Sequence, residues 1–149
     1  MHGNGNDFVI MNSIDSDISL TKDFIKNIAS RENGIGFDQL ILVSPPEDHR
    51  HDFLVQFFNA DGGEAMMCLN GIRCASRYIW MSNFAPTRKM ILETRSKVTL
   101  VEPLGEVNVI ATIDIPNFYK DPKLELALEK LISMPFSFCL LYTSDAADE

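Results

Sequence analysis

The stretch "FNADGGEAMMCLNGIRCASRYIWMSN", residues 58–83, joins the end of an apolar strand to the helix that decides the fold. After "DGG" turns the chain, apolar side chains recur at helical spacing, with small residues between them. The large members of this pattern are Ile72, Ile79 and Trp80. The segment Asn70–Asn83 is therefore predicted to be a helix that packs closely against a sheet.

Cys68 stands just before this helix, beside Asn70 and Gly71. The N–H groups of a first helical turn lack partners within the helix and carry the positive end of its dipole. A thiol there can ionise below its usual pKa of about 8.5. The alternative is that Cys68 packs as a small buried apolar residue, as most free cysteines do. This alternative is favoured when Cys68 is considered alone. Cys74 points to a different side of the helix and is predicted to fill the core.

The remainder of the chain alternates strand-like segments with two further helical patterns. Thr21–Arg31 has one apolar face and Thr21 as a plausible N-cap, and "NGIG" at Asn33–Gly36 ends it. A charged amphipathic helix is predicted over Asp121–Ser133. The predicted strands are Asp7–Ser13, Asp38–Ser44, Asp52–Ala60, 88–96, 97–103 and 106–115, with hairpin turns at Ser96-Lys97 and Leu104-Gly105. This order predicts an α+β fold with a mixed, largely antiparallel β-sheet.

A chain of 149 residues is long enough for one domain, which we expect over residues 1–133. The tail at 134–149 continues neither the preceding helix nor a strand pattern. Its end, "FSFCLLYTSDAADE", resembles translated sequencing-adapter DNA, and an ordinary frayed terminus is the alternative. The tail is expected to be non-native or disordered, and Cys139 within it is given no chemical role.

Composition excludes several classes of function. The net charge is −8 and Lys and Arg form no run, so nucleic acid is not expected as a partner. No apolar run approaches ~20 residues and the N-terminus lacks a signal-peptide pattern, so no membrane association is expected. Three cysteines without metal-ligand spacing argue for a reducing, cytoplasmic location and against a metal site.

A set of amide side chains lies at predicted strand ends, each beside a glycine or a turn. Its members are Asn6, Gln39 and Asn59. Amides that converge can bind carboxylate and ammonium groups together, because each offers donors and an acceptor. The alternative is turn formation, which asparagine favours. Three carboxylates nearby could act as acids or bases, or could equally cap helices and close turns: Asp7, Asp38 and Glu64.

Three segments in order, "MHGNGNDF", "GIGFDQLILV" and "FNADGGEAMMCLNGIRC", resemble the N-terminal half of diaminopimelate epimerase. The resemblance covers about residues 1–130 and is strongest through Arg77. It implies two pseudo-symmetric domains, each a mixed sheet curled around a central helix, with the active site between them. It also implies cofactor-independent inversion of one α-carbon, from LL- to meso-diaminopimelate, in lysine and peptidoglycan-precursor synthesis.

The resemblance also implies roles for individual residues. Cys68 matches the first of two catalytic cysteines, and Asn6, Gln39 and Asn59 match substrate-binding positions. Leu69, Asn70 and Gly71 match the loop that holds the α-carboxylate of the substrate. Leu69 stands where the family has glycine. If that position has a positive φ or approaches the substrate closely, leucine costs on the order of 1 kcal/mol or more.

The second domain of the family, with its own cysteine loop, has no counterpart here, since Cys139 has no glycine loop. We therefore interpret the chain as a fragment that holds one catalytic cysteine and has little or no activity alone. Its exposed apolar face is expected to cause association, for example as a homodimer. Two alternatives stay open: a related amino-acid racemase on the same scaffold, and a non-catalytic module that binds an amino acid.

Overall fold

A mixed sheet and two helices make up residues 1–113, the part of the chain that the computed structural model describes. The predicted helix Asp121–Ser133, the tail at 134–149 with Cys139, and the domain boundary at residue 133 lie outside the described residues. The strands are β1 (His2–Gly3), β2 (Asn6–Asn12), β3 (Gln39–Ser44), β4 (Phe53–Asn59), β5 (Glu64–Ala65), β6 (Met90–Glu93), β7 (Val98–Leu104) and β8 (Asn108–Thr112). The helices are α1 (Lys22–Ala29) and α2 (Leu69–Met81).

The eight strands form one sheet in the order β1-β2-β3-β4-β6-β7-β8, with β5 paired to β4. Most neighbours are antiparallel, whereas β2 with β3 and β4 with β6 are parallel. Helix α2 packs against β1 to β4 and also against β8, at the opposite edge. Because both edges contact one helix, the sheet curls around it. The predicted α+β fold with a mixed, largely antiparallel sheet around a central helix is confirmed.

Strand β3 shows why the sheet has a core on each face. Ile41 and Val43 are fully buried in the cluster that surrounds α2, and Leu40 and Leu42 are buried in a second cluster under α1. Successive strand side chains point to opposite faces, so burial on both faces requires the continuous apolar run seen here. Helix α1 covers the outer face with Ile25 and Ala29.

Within residues 1–113, the two predicted helices and the long strands are confirmed to within a few residues at each end. Thr21 caps α1 as predicted, since its hydroxyl accepts the backbone N–H of Phe24 at 3.2 Å. The two-residue strands β1 and β5 were not predicted, because two residues carry no periodic pattern. Strand β1 returns into β2 through a two-residue turn at Asn4 and Gly5, which have φ of 50° and 95°. Such a turn requires positive φ at both positions, which "NG" accommodates.

Candidate active site

The first turn of α2 holds the sulfur of Cys68 against backbone N–H groups. Cys68 is the N-cap residue, with φ −137° and ψ 111°, and its Sγ accepts the N–H of Gly71 at 3.3 Å. The side chain is 5% exposed and belongs to the core cluster around α2. The structure therefore gives Cys68 both features considered from the sequence: contact with an amide of the first turn and burial in the core.

Gly71 allows the start of α2 to lie directly on strand β4. A Cβ atom at this position would be 2.6 Å from Cε1 of Phe57, which is closer than two carbon atoms can approach. Phe57 is fully buried and is part of β4. The absence of a side chain at Gly71 thus sets the distance between the sheet and the turn that carries Cys68.

Leu69 is the first residue of α2 and is partly buried. Within residues 1–113, the residues other than glycine with positive φ are Asn4 and Asn83. Leu69 therefore has an ordinary backbone conformation, and the strain considered for a leucine at this position does not arise. Its side chain remains the largest one in the loop Leu69–Gly71.

The three amides predicted at strand ends lie at one edge of the sheet. Strands β2 and β3 are parallel and β4 is antiparallel to β3, so the starts of β2 and β3 meet the end of β4. Asn6, Gln39 and Asn59 occupy these positions. Gln39 lies directly opposite Asn59, and its Nε2 donates to Asn59 Oδ1 at 2.8 Å.

Asn70 connects the first turn of α2 to the start of β2. Its Nδ2 donates to Asn6 Oδ1 at 3.0 Å. Its Oδ1 accepts two donors, from Asn4 Nδ2 at 3.3 Å and from the guanidinium of Arg73. The predicted site residues are therefore joined as two hydrogen-bonded pairs, Asn6 with Asn70 and Gln39 with Asn59.

The nearby carboxylates are engaged in ion pairs. The guanidinium of Arg31 bridges Asp7 at 3.1 Å and Asp38 at 3.0 Å, and Asp38 also accepts the backbone N–H of Asp7 at 2.7 Å. The hydrogen bond to Asp7, followed by that to Asp38, raises the pKa of Arg31. Glu64 pairs with Arg95 at 2.6 Å. These contacts support structural roles for the three carboxylates more directly than acid–base roles.

Cys74 lies on another side of α2 from Cys68 and is 6% exposed within the core cluster. Burial raises the pKa of its thiol, against smaller opposite effects of the N-terminal ammonium and Arg73. The prediction that Cys74 fills the core is confirmed.

A cavity of about 430 Å³ lies beside this part of α2. It is lined by residues of β1, α2 and the start of β8, among them Asn70, Arg73 and Arg77.

Asn4 and Arg73, which both donate hydrogen bonds to Asn70, were not identified from the sequence. The spacing of Asn70 and Arg73, three apart on a predicted helix, is the signal that could have paired them.

Among residues 1–113, no group of three His, Cys, Asp or Glu side chains is placed to hold a metal ion. In the same residues, no helix is both long and apolar enough to cross a membrane.

The family model described as diaminopimelate epimerase matches residues 1–114 of this chain. The diaminopimelate epimerase of Chromobacterium violaceum is 37% identical over 118 residues, which are 79% of this chain and 43% of that protein. The diaminopimelate epimerase of Blochmanniella pennsylvanica is 36% identical over 124 residues, 83% of this chain and 44% of that protein. The matched residues therefore cover less than half the length of these curated relatives.

Solved structures share the fold at lower identity. The Bacillus anthracis phenazine biosynthesis protein of the PhzF family matches with a TM-score of 0.50 and 18% identity, covering 68% of this chain and 31% of that one. At this identity, the match supports the architecture alone.

Proposed function

This chain belongs to the diaminopimelate epimerase family, and we propose that it supplies one half of an active site that converts LL-2,6-diaminopimelate to meso-diaminopimelate without a cofactor. The observation that carries the proposal is the sulfur of Cys68, which accepts the N–H of Gly71 at the start of α2. Asn70 in the same turn is hydrogen-bonded to Asn6 at the start of β2. A candidate base and candidate binding groups therefore share one helix start.

The reaction requires strong stabilisation of charge. An α-proton beside a carboxylate is very weakly acidic, and its removal places extra negative charge on the carboxylate oxygens. N–H donors that are fixed in a water-excluded site stabilise such charge without reorganising. In this proposal the loop Leu69–Gly71 lies against the α-carboxylate of the substrate.

In the proposed mechanism, the thiolate of Cys68 takes the α-proton and becomes a thiol. The electron pair of the broken C–H bond stays on the substrate and is delocalised into the carboxylate. A thiol on the opposite face, from the part of the parent protein beyond this chain, donates its proton to the α-carbon and becomes a thiolate. Inversion therefore needs one proton-transferring group on each face of the α-carbon. Cys74 is not proposed for the second role, because it lies on another side of α2 from Cys68 and burial raises the pKa of its thiol.

The amides supply binding groups of both polarities. Gln39 and Asn59 are hydrogen-bonded to each other, and so are Asn6 and Asn70. Each primary amide has two N–H donors and a carbonyl acceptor. The side chains of Asn6, Gln39 and Asn59 each make one such bond, which leaves groups that can bind a substrate carboxylate and ammonium.

The test is exchange of the α-protons of diaminopimelate with solvent in D₂O, followed by mass spectrometry and chiral analysis. We expect this chain to incorporate deuterium slowly with retention of configuration, because one base serves one face. Cys68→Ala should abolish exchange, and Cys74→Ala is the matched control that should retain it. Stereoinversion by this chain alone, or equal exchange by Cys68→Ala, would contradict the proposal.

The burial of Cys68 favours a second candidate, a module that binds an amino acid without catalysis. Such a module would bind diaminopimelate equally well before and after the substitution Cys68→Ala, and would exchange no α-proton. Calorimetric titration of the unsubstituted chain and of this variant with diaminopimelate, measured beside the exchange assay, separates the candidates.

A further inference from the structure

Arg73 contacts the hydrogen-bonded pair Asn6 and Asn70, although it is not itself a proposed substrate contact. Its guanidinium donates to Oδ1 of Asn70, one turn earlier on α2. Asn70 in turn donates from Nδ2 to Oδ1 of Asn6. The three side chains form a directed series of hydrogen bonds from α2 to the start of β2.

The direction of this series depends on the chemistry of its first member. A primary amide can exchange the positions of its oxygen and nitrogen by rotating half a turn, and two paired asparagines satisfy each other in either sense. A guanidinium has only donors. With Arg73 present, the oxygen of Asn70 must face it, and the nitrogen of Asn70 must therefore face Asn6.

The consequence reaches the substrate side of Asn6. Its oxygen is occupied by Asn70, and its Nδ2 makes no hydrogen bond within residues 1–113. Two N–H donors therefore remain on Asn6, and a carboxylate, which has only acceptors, needs donors. If the series were reversed, Asn6 would keep only one N–H donor and would turn its oxygen, which repels a carboxylate, to the substrate side.

We propose that Arg73 is a positioning residue, which fixes the amides of Asn70 and Asn6 so that Asn6 presents N–H donors to a substrate carboxylate. The part that concerns the substrate rests on the proposed function. The part that concerns amide direction rests on the three side chains alone. Asn4 also donates to Oδ1 of Asn70, but its own amide can rotate, so it cannot impose a direction.

Arg77 provides the matched control. It follows Arg73 by one turn on α2 and lines the same cavity. Within residues 1–113, its guanidinium makes no hydrogen bond or ion pair. Arg77→Met and Arg73→Met remove the same charge from neighbouring turns, and only the second removes the donor to Asn70.

The experiment is NMR of the whole chain labelled with ¹⁵N-asparagine, which observes the side-chain NH₂ group of each asparagine. In Arg73→Met, we expect the Asn70 NH₂ protons to exchange with water about tenfold faster. Loss of the charge-assisted hydrogen bond to Oδ1 lets the amide of Asn70 rotate, and its NH₂ group then leaves Asn6. Arg77→Met should leave these signals unchanged, and Arg73→Lys, which keeps a charged donor, should restore slow exchange. Unchanged Asn70 signals in Arg73→Met would overturn the proposal.

A second measurement decides the matter if Arg73→Met does not fold. In the unsubstituted chain, slow rotation of the Arg73 guanidinium and a coupling between Asn70 Nδ2 and the Asn6 side-chain carbonyl support the proposal. Free rotation of the guanidinium would overturn it. Neither measurement involves substrate, so both keep their meaning if the deuterium-exchange test fails.

The substrate-dependent part is tested by titrating the chain with diaminopimelate. We expect Arg73→Met to weaken binding about tenfold and Arg77→Met to leave it unchanged. Equal affinity of Arg73→Met and the unsubstituted chain would overturn the assignment of Asn6 to a carboxylate.

Discussion

The two helices of the described residues begin in the same way with different atoms. In α1, Oγ1 of Thr21 accepts the N–H of Phe24 at 3.2 Å, and in α2, Sγ of Cys68 accepts the N–H of Gly71 at 3.3 Å. Each bond joins the N-cap side chain to the third residue of its helix. Serine, threonine, asparagine and aspartate are the preferred residues for this purpose, and cysteine is not among them. Helix α2 therefore begins with a weaker cap than α1, a thiol in place of a hydroxyl.

The first turns of the two helices also differ in their acidic residues. Helix α1 has Asp23 in its first turn, where a carboxylate interacts favourably with the helix dipole. The first turn of α2 contains no acidic residue. The dipole of α1 is therefore offset by a carboxylate in its first turn, whereas the first turn of α2 has no such carboxylate.

The largest expected effect concerns the third residue of each helix. Gly71→Ala should lower the free energy of unfolding by about 2 kcal/mol, because the new Cβ would overlap the ring of Phe57 in a packed core. Phe24→Ala, at the matching position of α1, should cost about 1 kcal/mol or less, because Phe24 is 43% exposed. Urea unfolding of the two variants measures the difference, and equal losses would show that the two helix starts are packed alike.

A smaller effect is expected from the cap of α1. Thr21→Ala should lower the free energy of unfolding by about 1 kcal/mol, because the N–H of Phe24 loses its acceptor. Thr21→Ser keeps the hydroxyl and is the control, which should restore most of the loss in the same urea titration. A loss as large in Thr21→Ser would mean that the methyl group, and not the cap, carries the effect.

Replacing the cap of α2 should change the stability of the protein little but abolish the proposed chemistry. Cys68→Ser should change the free energy of unfolding by no more than about 0.5 kcal/mol, because a better cap offsets the burial of a hydroxyl. The same substitution should abolish deuterium exchange into diaminopimelate, because a serine hydroxyl is not ionised near neutral pH. A variant that retained exchange would show that the sulfur is not the base.

The smallest effect concerns Cys74, the second cysteine of the same helix. Burial raises the pKa of the Cys74 thiol, so folding favours its protonated form. The stability that this thiol contributes is complete below the pKa of an unfolded cysteine, about 8.5, and declines as the pH rises above it. We expect the stability difference between the unsubstituted chain and Cys74→Ala to decrease above that pH in urea titrations. An unchanged difference up to about pH 10 would contradict this assignment.

Local patterns account for the part of the fold that was predicted correctly. The cap at Thr21, the extent of α2 and the long strands depend on residues a few positions apart, and such signals are present in any short stretch of the chain. The resemblance to the diaminopimelate epimerase family, carried by three ordered segments, is confirmed by the family match over residues 1–114. The roles of Cys68, Asn6, Gln39, Asn59, Leu69, Asn70 and Gly71 remain predictions.

The pairing of the site residues could not be read from the same patterns. Asn6 and Asn70 are far apart in the chain and meet because α2 lies inside the curled sheet, between β1 and β8. Gln39 meets Asn59 because β3 and β4 pair in one particular register. The role inferred for Arg73 needed both the helix spacing and the position of Asn6 across from it.

The sequence by itself determined the elements of this protein, the helix caps, the sharp turns and the family to which it belongs, because these depend on short-range geometry and on ordered motifs. Only the tertiary structure decided which amides face one another, that Cys68 is buried in the core around α2, and that Gly71 is required by the ring of Phe57. The physical reason is that a side chain acquires its hydrogen-bond direction and its burial from partners that folding brings together, and distance along the chain does not specify them.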